Sequence, residues 1–256
     1  MDTNCAPPDL EGDTTEDTLL GGRVRLIQPR RGYRVAIDSV LLAAAVPAAP
    51  GDAVLDLGCG VGAAALCLAA RVRDLGFHAV EIDPAIAAMA RSNAEANGLQ
   101  GRMTVTIADA MRYRRPRGHP GFDHVMTNPP YHASETHRAA ASAGKARANA
   151  APASDLGAWI IAALRALKSG GTLTLIHKAE RLGDILAALD GRSGRLVVLP
   201  IQPRAESAAT RVIVQAIKGR RTPLSLRPAL ILHGEAGYRP DVLQILTGNA
   251  GLPLAP

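Results

Sequence analysis

From residue 53 onward, apolar residues recur in two alternating rhythms: short Val/Ile/Leu blocks bounded by turn residues, and longer Ala/Leu blocks at helical spacing. The short blocks predict strands over Ala53–Leu57, residues 78–82, residues 102–108, Phe122–Thr127 and residues 172–177. Helices are predicted between them over residues 63–73, over a segment capped by Asp83, opened by Pro84 and closed by Gly98, and over residues 154–168 and 180–189. Residues 195–201 and 211–217 read as two final strands joined by a Pro-containing loop. Ahead of this pattern, residues 23–28 and 33–37 read as a hairpin. Asp38 and Ser39 follow as caps of a helix over residues 40–46 that Pro47 ends. Residues 1–18 are polar, acidic and unpatterned, which predicts disorder.

Alternating strands and helices of this length imply an α/β fold with a mostly parallel, doubly wound sheet and an antiparallel C-terminal strand pair. The expected units are a tail over 1–20, a hairpin and helix over 21–50, a main domain over 51–218 and an extension over 219–256. In such sheets a ligand sits beyond the carboxyl ends of the strands, where the strand order reverses. With the five main strands in the order 3-2-1-4-5, the loops after the first and fourth strands face one crevice.

Composition narrows the picture. A chain of 256 residues suffices for one α/β domain with additions or for two modest domains. Aromatics make up only 3%, so small aliphatic residues fill the core, and the single Trp159 is expected there. Cys5, Cys59 and Cys67 are odd in number and lack metal-ligand spacing, which predicts no metal site and a reducing cytoplasm. The apolar run over residues 40–49 is interrupted by Pro47 and far too short for a bilayer, so no membrane span is expected. The formal charge of +6 is uneven: residues 1–20 hold six acids and no Lys or Arg, leaving +12 on residues 21–256. Such a body suits a polyanion such as RNA or DNA, although an ordinary solvated basic surface has the same charge.

The chemistry concentrates at the end of the fourth strand, in Asn128-Pro129-Pro130-Tyr131. Each proline removes a backbone donor, and the residue before a proline is held extended. An amide oxygen, a free carbonyl and an aromatic ring are thereby gathered where they can clamp a planar NH2 group and stack on its ring. Standing alone, such a tripeptide reads as a strand-closing turn. Across the crevice, however, lies Gly58-x-Gly60-x-Gly62, with Asp56 two residues before its first glycine. A carboxylate there would repel a pyrophosphate but can pair with an amino group or a sulfonium, which favours S-adenosylmethionine over a nicotinamide dinucleotide. Glu81 closes the second strand 21 residues after Gly60, where an acid can accept from two ribose hydroxyls. Asp109, after the third strand, is placed to accept from an adenine amine.

These residues carry a family resemblance. Asp56-x-Gly58-x-Gly60-x-Gly62, Glu81-x-Asp83, Ala108-Asp109 and Asn128-Pro129-Pro130-Tyr131 resemble the class I S-adenosylmethionine-dependent amino-methyltransferases over about residues 53–217. Residues 33–42 and 209–215 are similar to segments of the bacterial tRNA(Val) adenine-N6 methyltransferase family. The resemblance implies a Rossmann-like, seven-stranded methyltransferase fold whose N-terminal segment closes the cofactor pocket. It implies cofactor contacts at Asp38, Asp56, Gly58, Gly60, Glu81 and Asp109, and catalytic residues Asn128, Pro129, Pro130 and Tyr131. The implied reaction is methyl transfer to the N6 amine of an adenine in RNA, most naturally tRNA.

Two basic loops, 112–117 and 132–149, flank the expected mouth and are candidate RNA contacts; for the arginine run over 112–117 a solvated turn is an equal alternative. No histidine is assigned as general base, and His124 is expected inside the fourth strand. The main rival is methylation of a protein glutamine, whose amide presents the same planar NH2, but only about 50 residues precede the glycine loop. A non-catalytic RNA-binding module ranks lower, because every motif position is occupied.

Overall fold

The computed structural model describes residues 14–31, 34–131 and 152–254. It opens with an antiparallel hairpin of β1 (Thr14–Leu19) and β2 (Val24–Pro29), with Thr14 opposite Pro29 and Leu19 opposite Val24. This corrects two expectations. Residues 14–18 belong to a strand and not to a disordered tail, and the partner of β2 precedes it, whereas residues 33–37 were expected to follow as that partner. The reason is chemical: β1 is polar up to Leu19 and is held by side-chain bonds that hydrophobic patterning cannot register. Asp17 accepts from Thr15 Oγ1, Gln28 Nε2 and Arg34 Nη2, each at 2.8 Å. Residues 34–36 carry no regular structure, and α1 (Ile37–Ala45) begins inside the expected second strand.

The main sheet follows the alternating pattern: β3 (Ala53–Leu57), α2 (Ala63–Arg71), β4 (Gly76–Glu81), α3 (Pro84–Ala96), β5 (Met103–Ile107), β6 (Phe122–Thr127), α4 (Pro152–Ala166), β7 (Leu167–Lys178), α5 (Leu182–Leu189), β8 (Ser193–Gln202) and β9 (Arg211–Lys218). Its order is β5-β4-β3-β6-β7-β9-β8, with β9 antiparallel to both neighbours, so the five parallel strands stand in the expected 3-2-1-4-5 order. Helix α3 starts as expected, with Asp83 Oδ1 accepting from the Ala85 and Ile86 N–H groups at 2.8 and 3.2 Å.

The sheet divides the core in two, because successive strand residues point to opposite faces. Val54, Phe77, Ala79, Met126 and Ile176 join the cluster containing α1, α2 and α3. Leu55, Leu57, Val80, Val125 and Leu175 join the cluster containing α4 and α5. With both faces covered, the central strands read as continuous apolar runs.

Residues 219–254, within the expected C-terminal extension, fold back. β10 (Ser225–Leu226) and β11 (Leu230–Ile231) extend the sheet in parallel beside β8, giving nine strands where seven were expected. β12 (His233–Gly234) and β13 (Gly237–Tyr238) form a small hairpin, and α6 (Pro240–Leu246) buries Val242 and Ile245 in the α1 side of the core. Elements this short give no periodic signal, because two residues cannot display an alternation.

Candidate active site

The crevice is built at the carboxyl ends of β3, β4 and β6. After Leu57 the chain turns through Gly58, Gly60 and Gly62 at φ of +77°, +55° and +88° before entering α2. The N–H groups of Gly58 and Cys59 both donate to the Val80 carbonyl, at 2.8 and 2.9 Å, which ties the loop to β4. At Gly58 a side chain is excluded twice over: its φ is left-handed, and a Cβ would lie 2.5 Å from Cζ2 of Trp159. Trp159 is in the core as expected, and its ring also packs against the glycine loop at Gly58. Its Nε1 donates to Thr127 Oγ1 at 2.8 Å, and Thr127 Oγ1 donates to the Leu57 carbonyl at 2.6 Å, locking the ends of β3 and β6 together.

The acids line this edge. Asp56 is buried, and the Ala65 N–H in the first turn of α2 is the neighbour that favours its charged form. Its Oδ2 has no hydrogen-bond partner among the described residues. Burial, reinforced by neighbouring Glu81, pushes its carboxyl up to about 7. Glu81 is held by three backbone donors: Gly60 N–H at 3.0 Å on Oε2, and Ile82 and Asp83 N–H at 2.8 and 2.9 Å on Oε1. Burial nevertheless raises its carboxyl above the ordinary range. Asp109 stands apart from this pair, capping a single 3-10 turn through the Met111 N–H at 2.9 Å and lying 3.6 Å from Arg112.

The Asn128-Pro129-Pro130-Tyr131 segment follows β6 directly. Tyr131 reaches past β7: its ring meets His177 edge-on at 5.2 Å, and its hydroxyl donates to Asp38 Oδ2. Asp38 therefore lies beside the motif tyrosine. It does not cap α1, because that helix starts at Ile37 with Ala36 as its cap residue. Arg211 Nε also donates to Asp38 Oδ2, at 3.1 Å, and its guanidinium carbon lies 4.9 Å from the Tyr131 ring centre. His177 is buried, and desolvation, with Arg181 nearby, lowers its pKa to about 4. It is neutral near pH 7. His124 lies within β6, as expected, and pairs with Asp52 at 3.0 Å. The loop over 132–149 lies outside the described residues.

Sequence reasoning assigned no role to Arg211, His177 or Thr127. Arg211 stood within a segment, 209–215, that carried the family resemblance, and that was its only signal.

The residues fit a cationic cofactor. An acceptor oxygen buried without a partner among the described residues, beside a second acid, suits a cation, either an ammonium that can donate to it or a sulfonium that pairs by charge, whereas a pyrophosphate would meet like charge. A doubly wound sheet of this order, with an acidic glycine loop at its switch point, defines an S-adenosylmethionine-dependent methyltransferase. The chain belongs to the methyltransferase small domain family, whose model matches residues 33–184. It is similar to a Porphyromonas gingivalis protein named tRNA1(Val) (adenine(37)-N6)-methyltransferase, with 31% identity over 217 residues, covering 80% of this chain and 83% of the relative. A relative of the same name from Actinobacillus succinogenes is 27% identical over 78% of this chain and 90% of its own length. Among solved structures, a protein of Agrobacterium tumefaciens described as a predicted O-methyltransferase superposes with a TM-score of 0.70 at 32% identity, covering 84% of this chain and 98% of the other.

Proposed function

We propose that this enzyme methylates the exocyclic N6 amine of an adenine in tRNA, and that residues 51–218 form its catalytic domain. The names of its relatives point to adenine 37 of tRNA1(Val) as the acceptor. The observation that carries the reading is the placement of Asn128-Pro129-Pro130-Tyr131 at the end of β6, adjacent to β3 and its acidic glycine loop.

S-adenosylmethionine, when bound, supplies an electrophilic methyl group on a sulfonium. Asp56 holds its cationic part, Glu81 the ribose hydroxyls and Asp109 the adenine amine, with Gly58 and Gly60 allowing close backbone approach and Asp38 standing at the pocket edge. On the acceptor side, the Asn128 amide oxygen and the Pro129 carbonyl accept the two N–H hydrogens of the base. Those bonds favour a pyramidal nitrogen and free a lone pair otherwise delocalised into the ring. Tyr131 stacks on the base. Oxygen dipoles aimed at developing positive charge supply the catalysis, and the proton leaves after the methyl has arrived. A neutral His177 suits this scheme, which needs no strong base.

An adenine in a duplex cannot reach the motif, so the acceptor base must be looped out or flipped. Arg112, Arg114, Arg115 and Arg117 follow β5 on the same edge of the sheet and are proposed RNA contacts, as is the loop over 132–149; a cytoplasmic location accords with a tRNA substrate. Incubation with labelled methyl donor and, separately, total tRNA, genomic DNA and a release factor tests the reading. Label is expected in tRNA, and label confined to protein would replace it with glutamine methylation.

A further inference from the structure

We propose that Arg211 is a positioning residue that, together with Asp38, holds the Tyr131 ring in the pose that receives the acceptor base. The inference rests on the methyl-transfer reading above and adds to it a residue from the antiparallel strand β9.

Two prolines fix the backbone before Tyr131, but they leave the ring free to rotate about its own side-chain bonds. Among the described residues, three polar side chains approach the ring. His177 meets it edge-on at 5.2 Å, the Arg211 guanidinium carbon lies 4.9 Å from its centre, and Lys178 Nζ is 5.7 Å away. These groups stand together because Arg211 is registered opposite Lys178, and Val212 opposite His177, in the β7–β9 ladder. A strand end thus presents a cation to the ring face, where the ring quadrupole is negative.

The hydroxyl completes the hold. Tyr131 Oη and Arg211 Nε both donate to one atom, Asp38 Oδ2. Arg211 is further tied by Nη1 to the Thr210 carbonyl at 3.2 Å. The guanidinium is therefore fixed at two of its nitrogens while it lies against the ring, and the ring is fixed at its face and its hydroxyl. Asp38 side-chain exposure is 10% and that of Arg211 is 31%, so the ion pair is shielded from full solvent screening. A lysine at position 211 would keep the charge but could not reproduce the plane and the Nε bond together.

A tie between α1 and β9 could also serve the fold alone, and a double-mutant cycle separates the two roles. Arg211→Ala and Arg211→Lys are each made in the wild-type and Tyr131→Ala backgrounds. kcat and KM for the acceptor RNA are measured, with the S-adenosylmethionine Kd and Tm as controls. In the wild-type background Arg211→Ala is expected to lower kcat/KM about 10- to 100-fold while changing the cofactor Kd less than about twofold. Arg211→Lys is expected to restore Tm but to leave most of the rate loss. In the Tyr131→Ala background either change should cost less than about twofold, because the group being positioned is gone. Equal losses in both backgrounds, or full activity in the lysine variant, would overturn the proposal. If the wild-type protein methylates a different acceptor, the adenine reading fails on its own, and the same cycle is read with that acceptor.

Discussion

At the scale of single residues, the site is governed by Asp56, a buried acid with one oxygen unpartnered among the described residues, and by the half-buried Glu81 beside it. Asp56 titrates near 7 because burial disfavours its charge and Glu81 stands beside it, whereas in the unfolded chain it titrates near 3.8. The folded apoprotein therefore binds this proton more tightly, so its stability falls as pH rises from about 4 to about 7 and levels off above. A cation placed against Asp56 reverses that preference. S-adenosylmethionine affinity should rise between about pH 6 and about pH 8, measurable by calorimetry. Asp56→Asn should abolish that rise and weaken binding by roughly 10- to 100-fold, the worth of one charge-assisted hydrogen bond, while raising apoprotein Tm above pH 7. Gly58→Ala faces both a left-handed φ and the Trp159 ring, and should cost at least about 1–3 kcal/mol in denaturant unfolding. The strand-end acids and glycines were legible in the sequence because turn chemistry and spacing are local. The Asp38–Tyr131–Arg211 assembly was not, since its members lie 93 and 173 positions apart and only the folded sheet brings them together.

At the scale of elements, the N-terminal hairpin is attached by Asn93 of α3 and Asn97 at its C-cap, which act as a substitute strand. Asn93 Oδ1 accepts from the Ile27 N–H at 2.7 Å and its Nδ2 donates to the Ile27 carbonyl at 2.8 Å. Asn97 does the same for Arg25, at 2.9 and 2.7 Å. The match is metric: four residues of helix rise about 6 Å, and two residues of strand rise about 6.6 Å. Asn93 also donates to the Val61 carbonyl at 3.0 Å, so the hairpin is tied to the glycine loop. Asn93 is buried, and Asn93→Ala strands several polar groups; it should cost about 2–4 kcal/mol in denaturant unfolding. Asn97→Ala, whose bonds to Arg25 are exposed, should cost about 1 kcal/mol or less. Equal losses at the two positions would mean the attachment is not governed by burial. The alternating strands and helices of residues 53–218 were readable because each carries its own period. The polar strand β1 and the two-residue strands of the C-terminal extension were not, since hydrogen bonds and neighbours define them.

At the scale of the whole molecule, the formal charge of +12 over residues 21–256 sets how a polyanion is met. Arg112 is almost fully exposed, and Arg114 donates to two nearby carbonyls, of Tyr113 at 3.0 Å and of Arg112 at 3.4 Å. Changing Arg112, Arg114 and Arg115 together to Ala should weaken tRNA binding and reduce the slope of log K against log salt by about 2–3. An unchanged slope would make this run a solvated turn. The central claim, however, concerns one nitrogen atom. The most direct test is nucleoside mass spectrometry of tRNA after incubation with S-adenosylmethionine and either the wild-type protein or Asn128→Ala. The account predicts N6-methyladenosine with the wild-type protein and none with the variant, whose cofactor affinity is retained. Methyl groups found on ribose, on another base or only on protein would contradict it.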